Sequence, residues 1–487
     1  MRNLLLFASV LFASWGSVCD VYAYGFTERD SAEGTEPKAS KWSLQTCIEY
    51  ALEHNLNVSD QVIGEQRAQN AFDQDRLDRY PILNASASHN YNFGRTIDPF
   101  TNQFINQSIQ SNNFALSSSV TLFNGSRITN TIKRSENEVM RSKLQRETTQ
   151  NQIALNVADA FLQIIFAEAQ LANFQEINKS TQAQLERAKA LFEGGAANKS
   201  QYLSFKAQDA RDQMNIQTAK GSIRTAYVRL RQILQTTEEF EIETPDLTSV
   251  PTTNNWSLPG VLLNSSSTVP DVRLAESQII SAELSQKIAK SGLYPRLSLF
   301  GNVNSLYSET RKELFNPTTS TRPIGFVEGS NSAVLTEFTS YETKVASFGK
   351  QIGDNFGQSA GLSLTIPIFN NNQVRANVTD AKLSTQLSRN NLERTKNTVQ
   401  SNIIQAYTDY ENALANYQSA VESEKAQGEN YEFARKSYEA GATAMADMLL
   451  ALNDWSRAKN DVERAKFQLV FSNTVLHYYN TGEVVLK

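Results

Sequence analysis

Between Arg127 and Phe192 the chain carries neither proline nor glycine. At 1.5 Å per residue that run makes roughly 100 Å of helix. Its apolar residues repeat every seven positions. One seam holds Ile153, Ala160, Ala167, Phe174, Thr181 and Ala188, the other Val157, Ile164, Leu171, Asn178, Leu185 and Phe192. Sustained heptads that alternate small and large residues argue for close-packed coiled coil. The run, read as a helix over 127–192, breaks at Gly194-Gly195, and a helical pattern resumes over about 200–235. The same sequence of events recurs further on. A helix read over 374–438, with Val399, Ala406, Ala413, Ala420 and Ala434 against Ile403, Tyr410, Tyr417, Tyr431 and Tyr438, breaks at Gly441-Ala442. It resumes over about 446–479, where Trp455, Val462, Leu469 and Leu476 lie seven apart. Each glycine-bearing stretch reads as the tip of an antiparallel helical hairpin, because glycine supplies the turn conformation that ends a helix.

The recurrence is a tandem duplication. Tyr80-Pro81 returns as Tyr294-Pro295, and "VTLFNG" (120–125) returns as "IPIFNN" (366–371). From there the spacing is constant: Ala160 faces Ala406, Phe192 faces Tyr438, Gly195 faces Gly441 and Arg211 faces Arg457. The second copy therefore holds extra residues between its two anchors. A period this long is not that of a solenoid, so each copy is a structural half. The first repeat is read as 24–235, the second as 271–479, with 236–270 between them and a tail over 480–487.

Ahead of each long helix the pattern changes period twice. Ser43 is a candidate N-cap for a short helix with Leu44, Ile48, Ala51 and Leu52 on one face. A second helix runs from about Val58 to Tyr80 and ends at Pro81; its counterpart, over 271–293, ends before Pro295. The period then becomes two. Strands are expected over 82–93, 113–123, 296–307 and 356–369, about ten residues each, the length that crosses an outer membrane when tilted. The joints back to helix are Phe123-Asn124-Gly125 and Phe369-Asn370. A soluble sandwich is the alternative, but four short strands on such long helices are hard to build into one.

The N-terminus, "MRNLLLFASVLFASWGSVCDVYAYGF", reads as a secretory signal cleaved after Ala23, so residues 1–23 are expected to leave the mature chain. Cys19 offers a lipoprotein alternative, against which the bulky Val18 stands. The mature chain keeps one cysteine, Cys47, and so has no intrachain disulfide. Beyond the signal no run of about 18 apolar residues is expected to span a membrane, which leaves a β-barrel as the route into one. The net charge of −5 gives no basic field for nucleic acid. No phosphate-binding loop, dinucleotide fingerprint, HExxH or GxSxG is present, and His54, His89 and His477 stand apart, so neither catalysis nor a metal or cofactor is expected.

Signal, short helix, two strands, long heptad helix, glycine tip and return helix, all twice, resemble the TolC family of outer-membrane efflux proteins. The marks are the Tyr-Pro pairs, "LFNG" and "IFNN" at the joints, and Tyr438-x-x-Gly441 with Asp447 six residues on. The resemblance implies a mainly α fold with transmembrane β: a homotrimer whose long hairpins form a periplasmic α-barrel under a shared 12-stranded β-barrel in outer-membrane lipid. Three chains of four strands do give a number within the range of such barrels. It also implies a girdle built from the inter-repeat segment, the C-terminal tail and residues near Trp42. The segments Gly94 to Asn112 and Ser308 to Asn355 would then be polar connections on the outside.

By the same resemblance the chain is an exit duct for efflux or type I secretion, served by a periplasmic adaptor and an inner-membrane pump of the RND, ABC or similar class. Phe192, Gly194, Gly195, Gly441 and Ala442 would dock the adaptor. Asp447 matches the first of the family's aperture aspartates, and Leu450 stands where a second is usual. Tyr438 matches a latching tyrosine, whose aspartate partner is Gln201 here, and a latching arginine is replaced by Thr443. A charged latch is thus not expected, a neutral Tyr438–Gln201 bond would contribute only about 1 kcal/mol net, and closure would rest on packing around Leu450. Asp447 as a helix N-cap is the competing reading. Two other classes remain open at this point, a periplasmic adaptor and a structural coiled coil. Adaptors carry a single hairpin between half-lipoyl segments, whereas this chain has two hairpins and no such segments.

Overall fold

The computed structural model describes residues 41–97, 102–106, 108–196, 198–244, 256–326, 328–330 and 332–484. The signal, Cys19, Ala197, Pro245, Pro251 and the last three residues lie outside the described residues. Trp42–Glu238 and Ile242–Lys487 form one compact unit. Of the other unit, Met1–Lys41 with Glu239–Glu241, only Lys41 and the latter three residues are described.

In chain order the elements are β1 (Lys41–Trp42), α1 (Leu44–His54), α2 (Leu56–Leu77), β2 (Ile82–Asn92), β3 (Arg95–Ile97), β4 (Phe104–Asn106), β5 (Ile109–Phe123), α3 (Arg127–Glu193), α4 (Lys199–Leu234), β6 (Glu241–Ile242), α5 (Leu258–Thr268), α6 (Pro270–Ser291), β7 (Arg296–Ser308), β8 (Lys312–Phe326), β9 (Ala333–Val345), α7 (Phe348–Asp354), β10 (Gly357–Thr365), α8 (Gln373–Glu439) and α9 (Met445–Thr481).

α3 and α8 are each 67 residues long. Their seams bury the residues the heptads single out: Ile153, Val157, Ala160, Ile164 and Ala167 in α3, and Ile403, Ala406, Tyr410 and Ala413 in α8. The buried stripe of α3 is wider than two heptad positions and takes in Ala154, Ala158, Phe161 and Leu162 as well. The reason is that α3 packs against α1, α2, α4, α6 and α9, not against one partner. This apolar width corrects one expectation. α3 is long and apolar enough over an 18-residue window to cross a membrane by length and composition, and half of that window is already buried within the chain. Gly428, inside α8, is explained by close approach. A Cβ there would meet Trp455 Nε1 at 3.0 Å, and Trp455 stacks on Tyr431 and donates to Glu424 at 2.9 Å.

Ser43 caps α1, accepting from the Thr46 amide, and the helix buries Cys47, Ile48 and Ala51. Burial pushes the Cys47 thiol up to about 12, so the thiolate that would make it reactive does not form at neutral pH. The inter-repeat segment is tied to the end of α9. Trp256 Nε1 donates to Asn473 at 2.8 Å, and Asn264 donates to Asn480 at 2.8 Å.

The central sheet has the order β10-β7-β5-β2, antiparallel throughout, so the second repeat's strands lie directly beside the first's. Its register sorts residues by chemistry. Ala85, Leu116, Val303 and Gln358 share one row, with Leu83, Leu299, Leu362 and Leu364 on the same face. Asn84, Ser117, Asn302 and Ser359 form the neighbouring row on the opposite face, continued by Ser298 and Ser363. The apolar face is uncovered in the single chain: Leu83 is 57%, Leu362 63% and Leu364 60% exposed. A four-stranded sheet with two free edges, one apolar face and one polar face cannot close on itself. It is a segment of a barrel.

The strand region differs from the sequence reading in several places. β10 ends at Thr365, not 369, because Pro367 has no N–H to give the ladder; Ile366 and Ile368 leave the strand, and Ile368 is 94% exposed. β5 begins at Ile109, since its pairing with β2 continues to Asn92. The span 308–355, expected only as a polar connection on the outside, has structure of its own. It folds into the β8–β9 hairpin, with strands of 15 and 13 residues, followed by α7. Segment 94–112 likewise contains the paired β3 and β4.

Candidate functional site: hairpin tips, aperture residues and strand–helix joints

The two tips are built alike to the atom. At the first, the Gly195 amide donates to Phe192 O (3.0 Å) and the Ala196 amide to Leu191 O (2.8 Å), with Gly195 at φ +73°. At the second, Gly441 donates to Tyr438 O (3.0 Å) and Ala442 to Ser437 O (2.9 Å), with Gly441 at φ +76°. This is the Schellman arrangement, whose left-handed position favours glycine. Gly194 holds an ordinary helical-side φ of −79° as the residue before it. A Cβ at Gly195 or at Gly441 would meet nothing within 4 Å, so both tips present bare backbone outward.

The helices that leave the tips differ. Asn198 caps α4, accepting from the Gln201 amide at 3.0 Å, which fixes Gln201 in the first turn. At α9 the capping position is Ala444, with no side-chain bond. Asp447 is therefore not the N-cap. It is an exposed acid in the first turn, where the helix dipole favours it. Met448 and Leu449 turn inward to a cluster with Phe205, Ile177, Tyr431 and Ala434, leaving Leu450 61% exposed beside Asp447. Thr443 is half-buried in the turn.

Tyr438 packs against that same cluster, its ring edge-on to Phe205 at 6.2 Å, and it makes no hydrogen bond to Gln201 among the described residues. Where a charged link was not expected, one exists between other residues: Arg187 of α3 lies 3.7 Å from Glu439 of α8 and joins the two hairpins just above the tips. Both side chains are well exposed, so the pair contributes at most about 1 kcal/mol.

At the upper ends the sequence marks of the two copies converge. Gly125 sits at φ +63°, and a Cβ there would lie 2.9 Å from Tyr294 Cβ and 3.0 Å from Ser291 O. The "LFNG" joint of one copy thus packs on the Tyr294-Pro295 turn of the other. Phe123 ends β5 past a register shift at Thr121, and Asn124 accepts from the Ile128 amide at 3.4 Å to start α3. The second joint uses asparagine for the same backbone: Asn371 and Asn372 lie at φ 50° and 61°, with Asn370 O accepting from the Gln373 amide. Phe369 is 83% exposed at the foot of the sheet, and Pro81 opens the first strand.

A buried polar belt, invisible to heptad reasoning, ties three helices together. Gln208 of α4 donates to Asp212 Oδ1 (2.8 Å) and to Asn453 of α9 (3.2 Å), while Asn178 of α3 donates to Asp209 (2.9 Å). Burial raises the Asp212 carboxyl above its ordinary value, against the neighbouring Thr181 and Gln208 side chains and Arg211, and neither its Oδ2 nor Thr181 Oγ1 meets hydrogen-bond geometry among the described residues. A carboxyl whose folded pKa is raised stabilises at acid pH, and that contribution is lost as pH rises through the folded value. Between about pH 4 and about pH 7 the melting temperature of detergent-purified Asp212→Asn should therefore rise more, or fall less, than that of the wild type. An unchanged pH dependence would mean that Asp212 binds protons equally in the folded and unfolded chain.

The sequence profile of the family described as "Outer membrane efflux protein" matches residues 47–235 and 334–476, well over half of the chain. No curated protein sequence matches. Among solved structures, CusC superposes with a TM-score of 0.69 at 17% identity, over 93% of this chain and 96% of that one. VceC from Vibrio cholerae gives 0.68 at 13%, over 90% and 96%. The CmeC outer membrane channel of Campylobacter jejuni gives 0.65 at 17%, over 93% and 90%. Identities this low speak for the fold alone, and the fold is shared nearly end to end. The profile match carries the rest: the chain belongs to the outer membrane efflux protein family, a family of outer-membrane channels and not of enzymes, and is an efflux exit duct.

Proposed function

We propose that three copies of this chain form a conduit from the periplasm to the exterior and receive cargo from an inner-membrane pump through an adaptor docked at the Gly195 and Gly441 tips. The observation that carries this reading is the two-faced, open-edged four-stranded sheet continuous with 67-residue helices. Three such sheets edge to edge make a barrel of twelve strands, apolar toward lipid and polar toward the lumen. The pump is of the RND, ABC or similar class, and copurification with the tips crosslinked to the adaptor identifies which. Recovery of a soluble periplasmic monomer at native expression would overturn the reading.

The aperture lies at the α9 start. Three copies of Asp447 around one axis place a negative ring at the mouth, with Leu450 as an apolar ring beside it and Tyr438 holding the α8 end to the core. Such a ring favours cations. Purified Asp447→Asn trimers in planar bilayers should lose cation selectivity and sensitivity to multivalent cations while melting at nearly the wild-type temperature. Unchanged selectivity with a lowered melting temperature would reduce Asp447 to a dipole partner of α9, which contributes about 0.3–1 kcal/mol.

A further inference from the structure

Where the polar face of the sheet meets the helices there is a cavity of about 740 Å³. Arg127 and Arg134 line it from one side of α3, and Arg296 from the first residue of β7. Register places Arg296 on the same face as Ser298 and Asn302, the polar face, opposite Thr365. Arg296 donates to Thr121 Oγ1 at 3.4 Å, and Thr121 and Asn124 supply neutral polar groups to the same wall. The one carboxylate lining the cavity is Asp78. None of the three arginines forms an ion pair among the described residues, although the chain as a whole carries a net charge of −5. Nor is this an echo of the duplication. The positions matching Arg127 and Arg134 in the second copy are Gln373 and Asp380, and the position matching Arg296 in the first is Ile82. The cluster is assembled once, from both repeats.

Unpaired guanidinium groups with adjacent hydroxyl and carboxamide groups match a multivalent oxyanion, which arginine binds through paired N–H donors. We propose that this cavity is an anion site in the channel lumen, at the joint of barrel and tunnel, that holds phosphate or a phosphate-bearing solute in transit. The luminal placement rests on the efflux-duct reading; the anion chemistry does not. A phosphate-bearing lipid headgroup has the same chemistry, but the polar face of the sheet is the one turned from lipid, which assigns the site to a water-borne anion.

Calorimetric titration of detergent-purified trimers with inorganic phosphate tests the chemistry without relying on transport. The wild type should bind saturably, and the triple variant Arg127→Gln/Arg134→Gln/Arg296→Gln should need about tenfold more phosphate, or about 1.4 kcal/mol. Arg296→Gln alone, checked for heat-resistant trimers, should shift binding in the same direction and keeps the test valid if the triple variant does not assemble. Equal binding by wild type and variants overturns the proposal. Single-channel recordings at constant ionic strength then locate the site. Phosphate should reduce the wild-type current in bilayers of neutral and of anionic lipid alike. Loss of the effect in anionic lipid alone would mean a lipid-facing headgroup site and overturn the luminal placement. Phosphate binding without any channel current would instead count against the duct reading.

Discussion

Cells whose only copy of this duct carries Gly195→Val and Gly441→Val together should become as sensitive to exported compounds as cells lacking it, while heat-resistant trimers remain in the outer membrane. Each glycine holds a left-handed φ, where an L-residue costs roughly 1–2 kcal/mol. That strain is confined to a turn at the end of a helix about 100 Å long, so it does not reach the barrel where the strands assemble. The lost function follows from direction: a Cβ at either position points into open space, where a docked partner would lie. Asparagine tolerates this backbone region far better than valine. If Gly195→Asn with Gly441→Asn restores export, the valine defect belongs to the turn; normal export by the valine pair places docking elsewhere.

Gly125→Ala should have the opposite profile, with no assembled trimer to assay. Here the left-handed φ is combined with contacts of 2.9 Å to Tyr294 Cβ and 3.0 Å to the Ser291 carbonyl. Backbone and Cβ atoms cannot rotate away, so strain of about 1–2 kcal/mol adds to overpacking of about 1–3 kcal/mol at the point where the two repeats lock. Gly125→Asn should fail too, because asparagine relieves only the first of these. The matching exchange at the other joint, Asn371→Gly, should be tolerated. Heat-resistant trimers on denaturing gels measure all three, and wild-type levels for Gly125→Ala would show that the joint can open without cost.

Much of this architecture is legible in the sequence because it is periodic and written twice. Heptads locate α3 and α8, and the burial of Ala160, Ile164, Ile403 and Tyr410 follows from them. The glycine tips and asparagine-rich joints were visible because backbone conformations with positive φ restrict residue choice. The β8–β9 hairpin was not visible. Its run of Thr318, Thr319, Ser320 and Thr321 has no apolar alternation, since neither face packs on a core. The end of β10 is hidden from the sequence because Ile366 and Ile368 continue the alternation, while Pro367 between them cannot pair. Asn178 was readable as a seam position but not as a link to Asp209, 31 residues away on another helix. The arginine cavity unites residues from α3 and β7 that no local pattern connects.

The two copies use the same turn but different starts for the helix that follows. Asn198 satisfies an amide at the head of α4, whereas Ala444 leaves the head of α9 without a side-chain cap. A missing cap lowers the free energy of opening that first turn by about 1 kcal/mol. At α9 the first-turn Asp447, which α4 has no counterpart for, offsets about 0.3–1 kcal/mol of that loss through the helix dipole, so the two heads are held by different means. Duplication kept the turn and let the helix heads diverge, one held by an asparagine side chain and pH-independent, the other by a charge that salt screens.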